Sequence, residues 1–192
     1  MIISEKGLTK ALKKAYKAGG YVLVNGPDQV IIYTAGWYIR ASWAKFPVKA
    51  LATIVEHMGS LPTEEGGLEI INGAEPQHIM AEKVGEDVGF WESDAEAVAT
   101  AGIVPMTFMG ANLFQTPANA VYGITPTPLG IAEEDVIQKD TATVMKDCRL
   151  KWTAEDEKVV ALAVRASSNY EAGFIKDVWT ALEGIDLRKP TE

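Results

Sequence analysis

The stretch that decides the fold runs from Gly20 to Trp43. It reads Gly20-Tyr21-Val22-Leu23-Val24, a turn at Asn25-Gly26-Pro27-Asp28, Val30-Ile31-Ile32-Tyr33-Thr34, a tighter turn at Ala35-Gly36, and Trp37-Tyr38-Ile39-Arg40-Ala41-Ser42-Trp43. β-Branched and aromatic residues dominate the three runs, and turn formers separate them, so the stretch predicts three consecutive antiparallel strands. In the third run Trp37, Ile39, Ala41 and Trp43 point one way, and Tyr38, Arg40 and Ser42 the other. That alternation predicts a sheet with one buried face and one half-wet face.

The flanks read as covers for this sheet. Met1-Ile2-Ile3 suits an edge strand, and Ser4 can cap a helix that runs to Ala18 and stops at Gly19-Gly20. Leu8, Ala11, Leu12 and Ala15 share one face of that helix, with Tyr16 at its margin. At 100° per residue Lys6, Lys10, Lys13, Lys14 and Lys17 fall within about 100° of arc on the opposite face. Only Glu5 interrupts the lysines, whereas a solubilising face commonly interleaves Glu with Lys. Phe46-Pro47 opens a second helix that ends at Gly59. Val48, Leu51, Ala52, Ile54, Val55 and Met58 are expected on its packed side, and Lys49, Thr53, Glu56 and His57 on its polar side. Leu68-Glu69-Ile70-Ile71 predicts a further strand before a turn at Asn72-Gly73.

Beyond residue 72 the pattern weakens. Residues 73–94 are acidic and aperiodic, 95–101 suit a short helix, and 102–130 suit either irregular strands or a long ordered loop. Val144 to Leu150 alternates like one strand with Cys148 packed within it. Thr153 with Asp156 resembles a capping box for a helix through Val164, broken at Ser167-Ser168-Asn169. Tyr170, Phe174, Val178 and Leu182 recur at spacing four in a last helix closed by Gly184, and the tail after it reads as loose. The expected fold class is α+β, a mainly antiparallel sheet with helices packed on one face. Residues 1–72 form a βαβββαβ unit. Residues 73–192 form either a second, divergent α+β unit or an extension of the same core.

Composition narrows the function classes. The net charge is −8, but residues 1–60 carry +5, residues 61–140 carry −12 and residues 141–192 carry −1. A basic head on an acidic body argues against coating nucleic acid or anionic membrane with the whole surface, and leaves the head as the anion-binding candidate. Residues 97–132 contain no charge, yet Pro105, Pro117, Pro126 and Pro128 with Asn112, Gln115 and Asn119 oppose a membrane-spanning helix. One cysteine allows no intrachain disulfide, and Met1-Ile2-Ile3-Ser4-Glu5 lacks a signal-peptide layout, so the chain reads as soluble and cytoplasmic.

No catalytic residue is assigned. The two histidines, His57 and His78, belong to no paired metal motif, and the nucleotide-binding and nucleophile-elbow motifs are missing from the sequence. The acidic group Glu86, Asp87, Glu92, Asp94 and Glu96 lacks the spacing and glycine of a calcium loop and reads as a solvated face. No metal or cofactor is expected. Two readings remain for binding surfaces. The lysine face suits phosphate backbones without base specificity. The uncharged stretch, with Phe108, Met109, Leu113 and Phe114 as anchors, suits self-association or another protein partner.

One resemblance bears on this choice. Residues 1–71 follow the order strand, helix, three strands, helix, strand. They carry Met1-Ile2-Ile3, the helix from Glu5 to Ala18, Tyr21-Val22-Leu23-Val24, Val30-Ile31-Ile32-Tyr33, Phe46-Pro47-Val48-Lys49-Ala50-Leu51 and Gly59-Ser60-Leu61-Pro62. This resembles one repeat of a DNA sliding clamp of the bacterial polymerase type. Helices of that family line a positively charged hole that holds duplex DNA without reading it. The resemblance implies that Lys10, Lys13, Lys14, Lys17 and Lys49 face phosphates and that the acidic remainder forms an outer surface. The leading expectation is therefore a non-enzymatic, clamp-like protein on double-stranded DNA. The alternative is a self-assembling structural or interaction protein, a homo-oligomer with no nucleic-acid role.

Overall fold

A computed structural model describes residues 1–93, 96–165 and 173–188. Within them the chain runs α1 (Glu5–Ala18), β1 (Tyr21–Asn25), β2 (Gln29–Tyr33), β3 (Trp37–Ser42), a 3-10 turn (Trp43–Lys45), α2 (Val48–Met58), β4 (Gly66–Ile70), β5 (Gln77–Ile79), α3 (Ala81–Glu92), β6 (Ala97–Phe108), β7 (Ala111–Gln115), β8 (Val121–Ile124), α4 (Pro126–Leu129), α5 (Glu134–Lys139), β9 (Ala142–Met145), β10 (Arg149–Thr153), β11 (Glu157–Leu162) and α6 (Gly173–Glu183). The strands form one sheet in the order β5-β4-β1-β2-β3-β11-β10-β9-β6-β7-β8, each neighbouring pair antiparallel. The expected α+β class with an antiparallel sheet is what the chain adopts.

The first elements form as their sequence dictates. Ser4 Oγ accepts the Gly7 N–H at 3.4 Å, and Gly19 at φ 132° closes α1 with its N–H on the Ala15 carbonyl. Leu8, Ala11 and Leu12 bury the inner face of α1 against the sheet, and α2 lies beside it. The same core continues through Leu23, Ile32 and Ile39 to Phe114, Ile124, Val144, Leu150, Trp152 and Val159, so strands from both halves of the chain line it. The other side of the sheet is covered too. There Ile31, Tyr33, Tyr38 and Val160 are buried with Trp91 of α3. The side of β3 expected to be half-wet is therefore partly dry: Tyr38 is fully buried, while Arg40 keeps partial exposure.

The sheet curls at β6. Its register shifts between Ala97 and Ala99 against β9, and between Ile103 and Thr107 against β7. Bulges bend a strand and increase its twist, and here they carry β7 and β8 back toward the end of β11. Gly123 and Val164 exchange both backbone hydrogen bonds at 2.8 Å. Two residues earlier in β8, α6 completes the cover: Trp179 Nε1 donates to the Val121 carbonyl, and the Val121 N–H donates to Glu183. Ile3 pairs with Ala132 at the start of the chain.

Several local expectations are corrected. The helix expected from Thr153 to Val164 is β11. Its Val159-Val160 pair is β-branched, and the segment sits between β3 and β10 with a ladder on both sides, which outweighs helical spacing. The apparent capping box is the hairpin turn, where Ala154 N–H donates to the Glu157 carbonyl at 2.8 Å. The single strand from Val144 to Leu150 is two strands with a turn between them, and Cys148 stands in that turn at φ 65° rather than mid-strand. The short helix expected at residues 95–101 is replaced by β6 from Ala97 onward, and 102–130 resolves into the β6–β7–β8 meander and α4. β5 and α3 occupy the stretch that showed no period.

Two helix faces are rotated from expectation. α2 buries Ala50, Thr53 and Ile54, turns His57 toward α1, and leaves Val48 76% exposed. α6 buries Trp179 and leaves Phe174 exposed. The break at Ser167-Ser168-Asn169 and the anchor Tyr170 lie outside the described residues, as does the tail after Arg188.

Two glycines in helices make opposite demands. A Cβ on Gly7 would stand 1.5 Å from the Gly130 carbonyl oxygen, whereas one on Gly85 would meet nothing within 4 Å. Helix propensity favours alanine over glycine by about 1 kcal/mol at both. Gly7→Ala is expected to lose at least ~2 kcal/mol in urea denaturation, because α1 must move off the backbone at Gly130. Gly85→Ala is expected to gain up to ~1 kcal/mol. Shifts of the same sign would refute the close packing of α1 on Gly130.

Candidate nucleic-acid interface

α1 is a rigid mount for its lysines. Its inner face is locked by Leu8 and Leu12, its start by Ser4 and its flank by Gly130. Lys6, Lys10, Lys13, Lys14 and Lys17 all lie exposed on the outer face, over about 16 Å of helix at 1.5 Å per residue. Among the described residues Lys6, Lys10 and Lys17 have no carboxylate partner. Lys13 approaches Glu56 at 4.0 Å with both side chains well exposed, a pair of little energetic weight. Lys14 Nζ donates to Thr127 Oγ1 at 2.8 Å, so its ammonium is positioned without being neutralised.

Lys49 differs from the other four predicted contacts. Its ammonium lies 3.0 Å from Glu5 Oε1, and its backbone N–H donates to Glu5 Oε2 at 3.2 Å. Those hydrogen bonds hold the Glu5 carboxyl below its ordinary range. The one acid of α1 is thus engaged with the start of α2, not with the lysine row. Lys49 is correspondingly a neutralised neighbour of that row.

Where α1 meets α2, His57 stacks on Tyr16 with ring centroids 3.9 Å apart and planes within 5°. Its Nδ1 is 3.1 Å from the Tyr21 hydroxyl. Burial raises the Tyr21 pKa well above its usual range, so that hydroxyl keeps its proton and can donate to a neutral imidazole. Sequence reasoning placed His57 among surface residues. The signal it lacked was the rotation of α2 that turns Thr53 and His57 inward.

Beside Lys14 an open groove of about 830 Å³ runs between the end of α1, the turn from β2 to β3, and α4. Ala15, Trp37, Pro128, Leu162 and Val164 give it a largely apolar wall. Among the described residues no three of His, Cys, Asp or Glu converge as metal ligands would, and no helix is long and apolar enough to cross a membrane. Cys148 is half-buried near Tyr122, and burial pushes its thiol pKa up.

The four anchors expected in the uncharged stretch separate. Leu113 and Phe114 are fully buried, Phe114 edge-on to Trp152 and Leu113 in a small cluster with Trp179. Phe108 packs edge-on against Trp179 at 5.9 Å. Only Met109, at the β6–β7 hairpin tip, is exposed. Alternation along β7 puts its large side chains into the two cores on either side of the sheet, so Leu113 and Phe114 are packing residues and not surface anchors. No family model matches the chain, nor does any curated protein or solved structure.

Burial holds the His57 pKa below its ordinary 6.5, with Lys13 adding to the effect and Glu56 opposing it. The folded chain binds this proton less readily than the unfolded chain, so the contribution to stability is fully present above pH 6.5 and is lost as the pH falls toward the lower folded value. The urea midpoint is expected to drop as the pH is lowered through 6.5. His57→Phe, which keeps the stack on Tyr16, should flatten that part of the profile. An unchanged profile would show that His57 titrates alike in both states.

Proposed function

We propose that this protein is a non-enzymatic, sliding-clamp-like protein that associates with double-stranded DNA, its phosphates held by Lys10, Lys13, Lys14 and Lys17 with Lys6 extending the row. The observation that supports this reading is the exposed, unneutralised lysine face on a helix fixed to a rigid sheet. A preorganised row of ammonium groups meets a phosphate backbone without further ordering of the main chain, and it carries no donor–acceptor pattern that would distinguish bases. The acidic remainder of the chain confines attraction to that face. Lys49, paired with Glu5, contributes little.

A second reading, self-association without nucleic acid, keeps Met109 of the four expected anchors and adds exposed residues from the same uncharged stretch. Val98, Met106 and Met109 are exposed along β6 and at its hairpin tip. Light scattering across a concentration series tests it, since a strict monomer would remove that reading.

Four phosphate contacts correspond to a slope of about −3.6 in log affinity against log salt, or about a 100-fold loss between 50 and 200 mM. Fluorescence anisotropy with two duplexes of unrelated sequence should give that slope for both. Changing Lys10, Lys13, Lys14 and Lys17 to Glu should abolish the binding, while Lys49→Glu should alter it little. Identical behaviour of wild type and the fourfold variant would end the DNA reading.

A further inference from the structure

A second set of cations lies on the opposite side of the sheet, and the chain treats it differently. On β3, β11 and β10 the side chains of Arg40, Lys158, Lys151 and Arg149 share one face with Tyr38 and Val160. Arg40 stands directly across from Lys158, and Lys151 directly across from Val160. Arg149, Lys151 and Lys158 are at most 5% exposed. Like charges directly opposed on a sheet are destabilising, and buried ammonium groups are costly unless an anion meets them.

The end of α3 supplies that anion. The Glu92 carboxylate accepts from Lys158 Nζ and from the Tyr38 hydroxyl, and lies 3.4 Å from Arg40. Burial raises the Glu92 pKa, but the bonds from Lys158 and Tyr38 outweigh it and hold the carboxyl below its ordinary range. Lys151 donates to the Glu92 and Ser93 carbonyls, and Arg149 to that of Phe90, where cations complement the negative end of the helix. Arg149 also lies 4.4 Å over the Phe90 ring and pairs with Asp147.

α3 itself is poorly built as a permanent cover. It has no side-chain N-cap, it carries Gly85 and Gly89 where a Cβ would meet nothing, and Trp91 is its one fully buried residue. Each interior glycine costs about 1 kcal/mol against alanine. Met80 and Phe90 are exposed. A strong anion-receiving surface is thus filled by a segment of weak intrinsic helicity.

We propose that this sheet face is a docking surface for an acidic peptide segment of a partner protein, that α3 occupies it in cis as an exchangeable internal ligand, and that the incoming segment places a carboxylate between Lys158 and Arg40 where Glu92 now sits. Charge complementarity selects the occupant. The receiving groups are two opposed cations and a tyrosine hydroxyl around one carboxylate, beside an aromatic seat made by Tyr38, which stacks on Trp91 at 6.0 Å.

The probe is a fluorescein-labelled peptide of residues 80–93, titrated against the full chain. Glu92→Gln in the protein weakens the internal ligand and should tighten peptide binding at least ~10-fold over wild type, because tethered α3 competes at a high effective concentration. The double variant Gly85→Ala, Gly89→Ala should bind the peptide more weakly than wild type. A peptide carrying Glu92→Gln should lose the gain. Equal binding by wild type and the Glu92→Gln protein overturns the proposal, as does tighter binding of a 20-residue oligothymidylate, which would assign the face to nucleic acid. Should Glu92→Gln fail to fold, hydrogen exchange on wild type decides. Amides of α3 should exchange roughly 100-fold or more faster than those of β1 to β3, and exchange of α3 only through global unfolding overturns the idea.

Discussion

Ala41, Arg40, Ile39, Tyr38 and Trp37 lie opposite Glu157, Lys158, Val159, Val160 and Ala161, and this antiparallel seam between β3 and β11 governs both faces of the protein. Among the described residues it joins five strands from the first part of the chain to six from the rest. On one face it brings Ile39 beside Val159 and continues the core that seats α1 and α2. On the other it sets Arg40 against Lys158 and Tyr38 against Val160, which creates the surface that α3 covers. A one-residue slip in this seam would exchange the two faces of β11 relative to β3. Valine would then meet Glu92 and lysine would enter the main core.

The two cation sets show how differently one chain can place the same chemistry. The lysines of α1 stay in water, where their charge costs little and its field is available at the surface. The cations of β10 and β11 are buried and therefore need partners in fixed geometry. Glu157 makes the same point with the opposite charge. It is 2% exposed on the side of the main core and accepts the Ile2 N–H at 2.6 Å. Its other oxygen and the Trp152 indole N–H have no hydrogen-bond partner among the described residues.

The sequence was most legible where local signals agreed. The first three strands, α1 with its Ser4 cap, and α2 with its Gly59 stop combine period, turn chemistry and capping that point the same way. The lysine face followed directly, because helical geometry alone places Lys10, Lys13, Lys14 and Lys17 together. Legibility failed where long-range pairing decided the outcome. β11 has the spacing of a helix and becomes a strand because two ladders await it. α3 was invisible because its two glycines and scattered acids blur any period, and its ties to the sheet run through single residues, Asp87, Trp91 and Glu92, and through backbone carbonyls. Lys158, Lys151 and Arg149 gain meaning only once β10 and β11 are known to be neighbours of β3. Leu113 and Phe114 looked like anchors because absence of charge marks both an interface and a core.

The seam has a further consequence, for the order of events during synthesis. β3 emerges from the ribosome more than a hundred residues before the strand that completes it. Until β11 arrives, β3 is an open sheet border with Trp37, Tyr38 and Ile39 along it, the kind of border on which chains pair wrongly with one another. Contacts so distant along the chain also slow productive folding. Arg40 is the single charge in this strand, and before any partner forms it stands as a gatekeeper on that border.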